Sequence, residues 1–160
     1  MTKITFEQFL SAVSDKDKIL AQSLHNYLIG NGCKATIEEK KKGLFISYKH
    51  TKSKKVIANF MLGNGDMHVR IYGENACNYL DFLNTLPNEM VQSIANAGEC
   101  QRLVYEKCSP KCTGYDVTIS NNRYQKCRYG GFEFLVTEAS APFIKSFVEN
   151  EIKERNSEPC

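Results

Sequence analysis

The stretch Lys34–Tyr72, KATIEEKKKGLFISYKHTKSKKVIANFMLGNGDMHVRIY, decides the fold. β-branched and aromatic residues fill four short runs, 34 to 39, 43 to 49, 54 to 62 and 66 to 72. Lys/Gly, Thr51-Lys52-Ser53 and Gly63-Asn64-Gly65 separate them. Runs of this kind, bounded by turn residues, read as strands. In the fourth, Met67, Val69 and Ile71 alternate with His68, Arg70 and Tyr72, so one face is core and the other polar. Connections this short join antiparallel neighbours.

Helical periods flank the strands. Thr5-Phe6-Glu7-Gln8 is a capping-box pattern ahead of Phe6, Phe9, Leu10 and Val13. Ser14 is placed to cap a second helix that buries Leu20, Leu24, Tyr27 and Leu28 and ends at Gly30-Asn31-Gly32. His25 lies on it as a surface or boundary residue. Residues 75 to 84 read as a helix capped by Asn75 and burying Cys77, Leu80 and one of Leu83 or Leu86. Residues 87 to 96 read as another, with Pro87 in its first turn. Tyr115, Val117 and Ile119 alternate, Asn121-Asn122 makes a two-residue turn, and a return strand runs 123 to 129. A third strand follows at Phe132–Val136. Ser140 caps a last helix carrying Phe143, Ile144, Phe147, Val148 and Ile152, and residues 156 to 160 form a polar tail with Cys160 as a bystander. The expected class is α+β: an antiparallel sheet flanked by helices, with a small C-terminal hairpin or three-strand sheet around a cysteine cluster. Its 160 residues suit one domain, 1 to 98 forming an α+β lobe and 99 to 155 a cysteine lobe on the same core.

Hydrophobic residues at 42% and charged residues at 24% are ordinary for a globular chain, and no apolar run is long enough to cross a membrane. The N-terminus lacks the apolar segment of a signal peptide, which predicts a cytoplasmic protein. Residues 34 to 55 hold eight lysines against Glu38 and Glu39; that window is +6 of a total +3, leaving −3 elsewhere. Lys40, Lys41, Lys42, Lys52, Lys54 and Lys55 are therefore candidates for weak polyanion binding. The competing reading is that they solubilise and guard a sheet edge.

Four of seven cysteines, Cys100, Cys108, Cys112 and Cys127, fall within 28 residues as C-x7-C-x3-C-x14-C. Clustered thiols in a reduced compartment favour a soft metal, zinc above all, held by four ligands as a structural site. Reduced core cysteines, or a catalytic metal or redox role, are the alternatives. With the Asn121-Asn122 turn, Cys127 stands opposite Asp116, a further candidate near the metal. Arg70 and Tyr72 on one strand, and Tyr124, Lys126 and Arg128 on another, could line a pocket for an anionic or planar ligand where the hairpin meets the first sheet.

Cys108-Ser109-Pro110-Lys111-Cys112, Gly114-Tyr115, Tyr124-Gln125-Lys126-Cys127-Arg128-Tyr129, Phe132-Glu133-Phe134 and Pro142-Phe143-Ile144 with Glu151 resemble a group of small bacterial proteins of unassigned role from clostridia and related Firmicutes. Asn31-Gly32-Cys33-Lys34, Val69-Arg70-Ile71-Tyr72-Gly73 and Leu83-Asn84-Thr85-Leu86-Pro87 extend the resemblance over nearly the whole chain. The layout of the first hundred residues is also similar to small α+β domains of the MmcQ/YjbR or YdhG kind. The resemblance implies a bacterial cytosolic protein and assigns no chemistry. The functional expectation is a binding or adaptor domain stabilised by zinc. A polyanion or nucleic-acid module built on Lys34–Lys55, and a metal- or thiol-dependent enzyme, are the alternatives.

Overall fold

In the computed structural model, which describes residues 3 to 155, the strand-rich stretch forms one antiparallel meander. Its strands are β1 (Cys33–Lys40), β2 (Gly43–His50), β3 (Lys55–Gly63) and β4 (Asp66–Ile71). Downstream, β5 (Tyr115–Ile119) and β6 (Asn122–Lys126) make a separate hairpin, and the short β7 (Glu133–Leu135) completes the large sheet in the order β1-β2-β3-β4-β7.

Register explains the layering. Ile37, Ile46, Phe60, Val69 and Phe134 are paired in turn across all five strands, so they share a face. The adjacent row, Thr36, Ser47, Asn59, Arg70 and Glu133, crosses the other face. Helices α2 (Asp15–Gly30) and α6 (Ala141–Glu154) pack on the apolar row, and α1 (Phe6–Ala12) packs on α2. The capping box expected at Thr5 is present, with Gln8 reciprocating. His25 is a boundary residue: its ring stacks on Phe6, its Nδ1 shares a 2.7 Å hydrogen bond with the Tyr48 hydroxyl, and burial lowers its pKa against the pull of Glu7.

Five details depart from the sequence reading. The third C-terminal strand does not join the hairpin; β7 pairs with β4 instead. This places Phe134 in the apolar row, where hydrophobic burial stabilises it, and lets Phe132 stack on Tyr115 at 4.2 Å. The hairpin turn is Ser120-Asn121, both with positive φ, one residue earlier than expected. Asn84 fixes it by accepting the Ser120 N–H at 2.8 Å. Residues 75 to 84 form a 3-10 turn (Ala76–Tyr79) and a single helical turn, α3 (Leu80–Leu83), with Cys77 exposed and Leu80 only half-buried. Ala76, Tyr79 and the expected Leu83 reach the core from that segment, as does Leu86 just beyond it. Neither Ser14 nor Ser140 caps through its side chain: Ser14 donates to Asp17, and Ser140 donates to the Leu135 carbonyl. The tail from 156, with Cys160, lies outside the described residues.

Candidate functional site

The polypeptide leaving β4 is pinned from three sides. The Gly73 N–H donates to the Tyr115 hydroxyl at 3.1 Å, and the Asn75 N–H donates to Glu151 Oε1 at 3.2 Å. Arg155 Nη2 donates to the carbonyls of Tyr72 and Val56 at 2.8 and 3.1 Å. A side chain on Gly73 would press tightly on the Phe132 and Phe147 rings, which would have to give way by a few tenths of an ångström.

Charge gathers on Glu74, at the centre of that exit. Its carboxylate, almost wholly buried, meets Arg128 at 3.0 Å, Lys55 at 3.4 Å and Arg155 at 4.0 Å. Behind it Glu151 is fully buried. Burial pushes its pKa up to about 7, against the opposing pull of Arg155, the Tyr79 hydroxyl and the Asn75 N–H. Arg155 Nε approaches Glu151 Oε2 to 2.8 Å, but the pair makes no aligned hydrogen bond, so we count it as an ion pair alone.

The Arg128 guanidinium lies over the rings of Tyr72 and Tyr129, 5.2 and 5.5 Å from their centroids, and the two rings meet edge to face. Cation–π contact of this kind fixes the guanidinium plane. These groups line a cleft of about 350 Å³, which Lys55 and Lys111 close from either side. Three cationic side chains against one carboxylate leave the cleft positive. Arg128 Nε is buried and has no hydrogen-bond partner among the described residues.

Of the five residues expected to bind a ligand, Arg70, Tyr72 and Arg128 come together around the Tyr72 side chain. Arg70 pairs with Glu133 at 3.0 Å. Burial works against its charge, but the Tyr72 hydroxyl and Glu133 outweigh it and raise its pKa. The Tyr72 hydroxyl donates to Asn59 at 2.7 Å. Lys126 is elsewhere and otherwise employed. It is buried, and its ammonium donates to the carbonyls of Ala95 and Ala97 and to Glu99, all within 3.0 Å. It thereby satisfies the C-terminal carbonyls of α4 (Asn88–Asn96) and is structural. Tyr124 is paired with Val117 and packs against the core.

The cysteines are partly gathered. Cys108 is exposed, Cys112 and Cys127 half-buried and Cys100 buried, all as free thiols. Burial pushes the Cys112 pKa up, the neighbouring Cys108 adds to the rise, and Arg128 opposes them. Among the described residues no three His, Cys, Asp or Glu side chains stand together in metal-holding geometry. Asp116 pairs with Gln125, not with Cys127, because the turn falls one residue early. Its carboxylate is held by Arg123 in a two-pronged pair at 2.9 and 2.7 Å, which lowers its pKa.

The lysine window divides. Lys40, Lys41 and Lys42 sit at the β1–β2 turn, and Lys52, Lys54 and Lys55 at the β2–β3 turn. The eight-residue β2 separates the two ends by about 25 Å, from a strand rise of roughly 3.3 Å per residue. The first set rims a larger hollow of about 880 Å³ floored by Phe45 and Met61. No polar side chain lining that hollow is buried, whereas Tyr72 and Glu74 in the smaller cleft are held rigidly. A site that fixes a ligand needs such positioned polar groups, so we take the smaller cleft as the functional candidate.

Sequence reasoning missed Glu74, Lys111, Tyr129, Glu151 and Arg155 as parts of this site. One signal was legible: Glu151 falls on the stripe of Ile144, Phe147 and Val148, where a carboxylate requires a buried partner, and Arg155 stands four residues on. No helix is long and apolar enough to cross a membrane among the described residues. Comparison with protein-family models, curated proteins and solved structures finds no match.

Proposed function

We propose that the chain is a non-enzymatic binding domain that takes a small anionic ligand with a planar part in the cleft beside Arg128. The observation that carries this reading is the Arg128 guanidinium, oriented by Glu74 and lying against Tyr72 and Tyr129. An arginine held in one plane presents paired N–H donors to a carboxylate or phosphate. Tyr129 is more than half exposed and offers an aromatic surface beside it. Lys55 and Lys111 add attraction that salt will screen. The reading assumes the cytoplasm as compartment.

Isothermal titration with benzoate, AMP and inorganic phosphate tests it. The wild type binds at least one of the aromatic anions more tightly than phosphate, and more weakly as salt rises. Arg128→Ala weakens that binding by tenfold or more, while Lys41→Ala, in the other hollow, leaves it unchanged. Equal affinity in wild type and Arg128→Ala, or no binding of any of the three, overturns the proposal.

A further inference from the structure

The loop that carries Lys111 to the cleft also carries two thiols, and the backbone around it aims two more in the same direction. Glu99 bridges Lys126, and the flanking bonds run from the Cys100 N–H to the Gln125 carbonyl and from the Cys127 N–H to the Gly98 carbonyl, both 2.9 Å. Side chains alternate along an extended segment. Glu99 and Lys126 form their ion pair on one side, so Cys100 and Cys127 both point to the other. They are diagonal neighbours there, a separation of roughly 7–8 Å. The Cys100 sulfur lies directly over Gly114, where any side chain would overlap it, and Gly114 is two residues from Cys112. Cys108 precedes Cys112 by four residues across a turn closed by the Cys112 N–H to the Ser109 carbonyl. Cys100 and Cys127 thus share one side of the Glu99–Lys126 bridge, and the loop of Cys108 and Cys112 comes up against Cys100 at Gly114.

Nothing in the packing requires four cysteines there. Cys108 is exposed and no part of the core. Residues 106 to 114 hold no regular element. Cys112 N–H to the Ser109 carbonyl and Lys111 N–H to the Ser109 hydroxyl are bonds within the loop itself. The loop is anchored at its start, where the N–H groups of Glu106 and Lys107 donate to the carbonyls of Arg102 and Gln101, and at its end, where Gly114 lies under Cys100. A metal held by all four thiols requires the 108–112 turn to bring Cys108 and Cys112 onto Cys100 and Cys127.

We propose that Cys100, Cys108, Cys112 and Cys127 are the four ligands of one soft divalent metal ion, zinc by the chemistry of the donor set. Four sulfur donors suit a closed tetrahedral site with metal–sulfur distances of about 2.3 Å. Each thiol releases its proton to solvent and binds as the thiolate, so uptake strengthens as pH rises. The ion ties the loop to the strand that leads into Arg128. The inference goes beyond the anion-binding reading and stands without it.

Cobalt(II) titration of the chelator-treated protein, kept reduced with a phosphine, tests the assignment. One cobalt per chain is expected, with intense thiolate-to-cobalt charge-transfer absorption, and zinc displaces it. Cys108→Ser, at an exposed position, should abolish stoichiometric binding while far-ultraviolet circular dichroism stays unchanged. Cys33→Ser, at a buried thiol outside the cluster, should bind as wild type. Absence of stoichiometric cobalt in the wild type, or binding that persists in a Cys108→Ser/Cys112→Ser double variant, overturns the site. So does a Cys108–Cys112 disulfide that forms in place of metal uptake. Loss of metal with anion affinity intact leaves the cleft reading standing, and the reverse leaves the metal site standing.

Discussion

Across the large sheet, the inward row Ile37, Ile46, Phe60, Val69 and Phe134 contains no polar member, and aromatic contacts continue from it into α6 through Phe147. Between residues 98 and 131 the corresponding inward positions include Lys126, whose charge is met by Glu99 and two carbonyls, and Tyr115, whose hydroxyl joins Gly73 to the chain around Arg128. The first region is held by apolar area, which is non-directional and tolerates exchange of similar side chains. The second is held by aligned polar contacts, each costly to leave unmade. A binding cleft belongs in the second kind of region, because directed contacts fix where charge is presented.

The largest effect that would sharpen this contrast is in the sheet region. Phe147 meets Tyr79, Phe82, Phe132 and Phe134, and Phe147→Ala should cost about 3–5 kcal/mol of unfolding free energy in urea melts. Anion affinity should survive at temperatures where the variant remains folded. Loss below 1 kcal/mol would break the view that this cluster is the main core.

Next in size is the pH dependence set by Glu151, whose pKa rises from 4.5 to about 7 on folding. Below pH 4.5 the carboxyl is protonated in both states and contributes no slope. Between pH 4.5 and 7 the unfolded chain releases a proton that the native state keeps, so stability falls as pH rises. The decline is at most about 3 kcal/mol, from 1.36 kcal/mol per pKa unit, and it levels off above pH 7. Glu151→Gln should be flat over that window in denaturant melts. A variant that keeps the wild-type slope would show that another group titrates.

A smaller effect is expected at Lys126. Lys126→Met keeps the buried stem but removes three charged hydrogen bonds, and should cost about 1.5–3 kcal/mol, with anion affinity changed less than twofold. A tenfold loss of affinity there would return Lys126 to the ligand site.

The sheet region was legible because alternation in Met67, Val69 and Ile71, and the turn residues around it, act locally and leave few registers that bury one face. The last strand escaped because three residues at 133–135 have no local cue to their partner; burial of Phe134 beside Val69 decides it. Tyr72 and Arg128 were found as polar residues on strand faces, yet their meeting depends on Glu74 in an irregular exit with no periodicity to read. Lys126 misled for the same reason: its alternation was right in kind, but the end of α4 captured the amine. The turn at Ser120 was displaced by a distant acceptor, Asn84, thirty-six residues upstream.

The proposed ligand site lies between Tyr72, Arg128 and the cysteine loop. The most direct measurement is a backbone amide shift map of the isotopically labelled protein titrated with AMP. The largest shifts should cluster at residues 72–74, 111–113 and 128–129, and should vanish in Arg128→Ala. Shifts concentrated at residues 40–45 and 61–68 would move the site to the lysine-rimmed hollow and rule out the cleft beside Arg128.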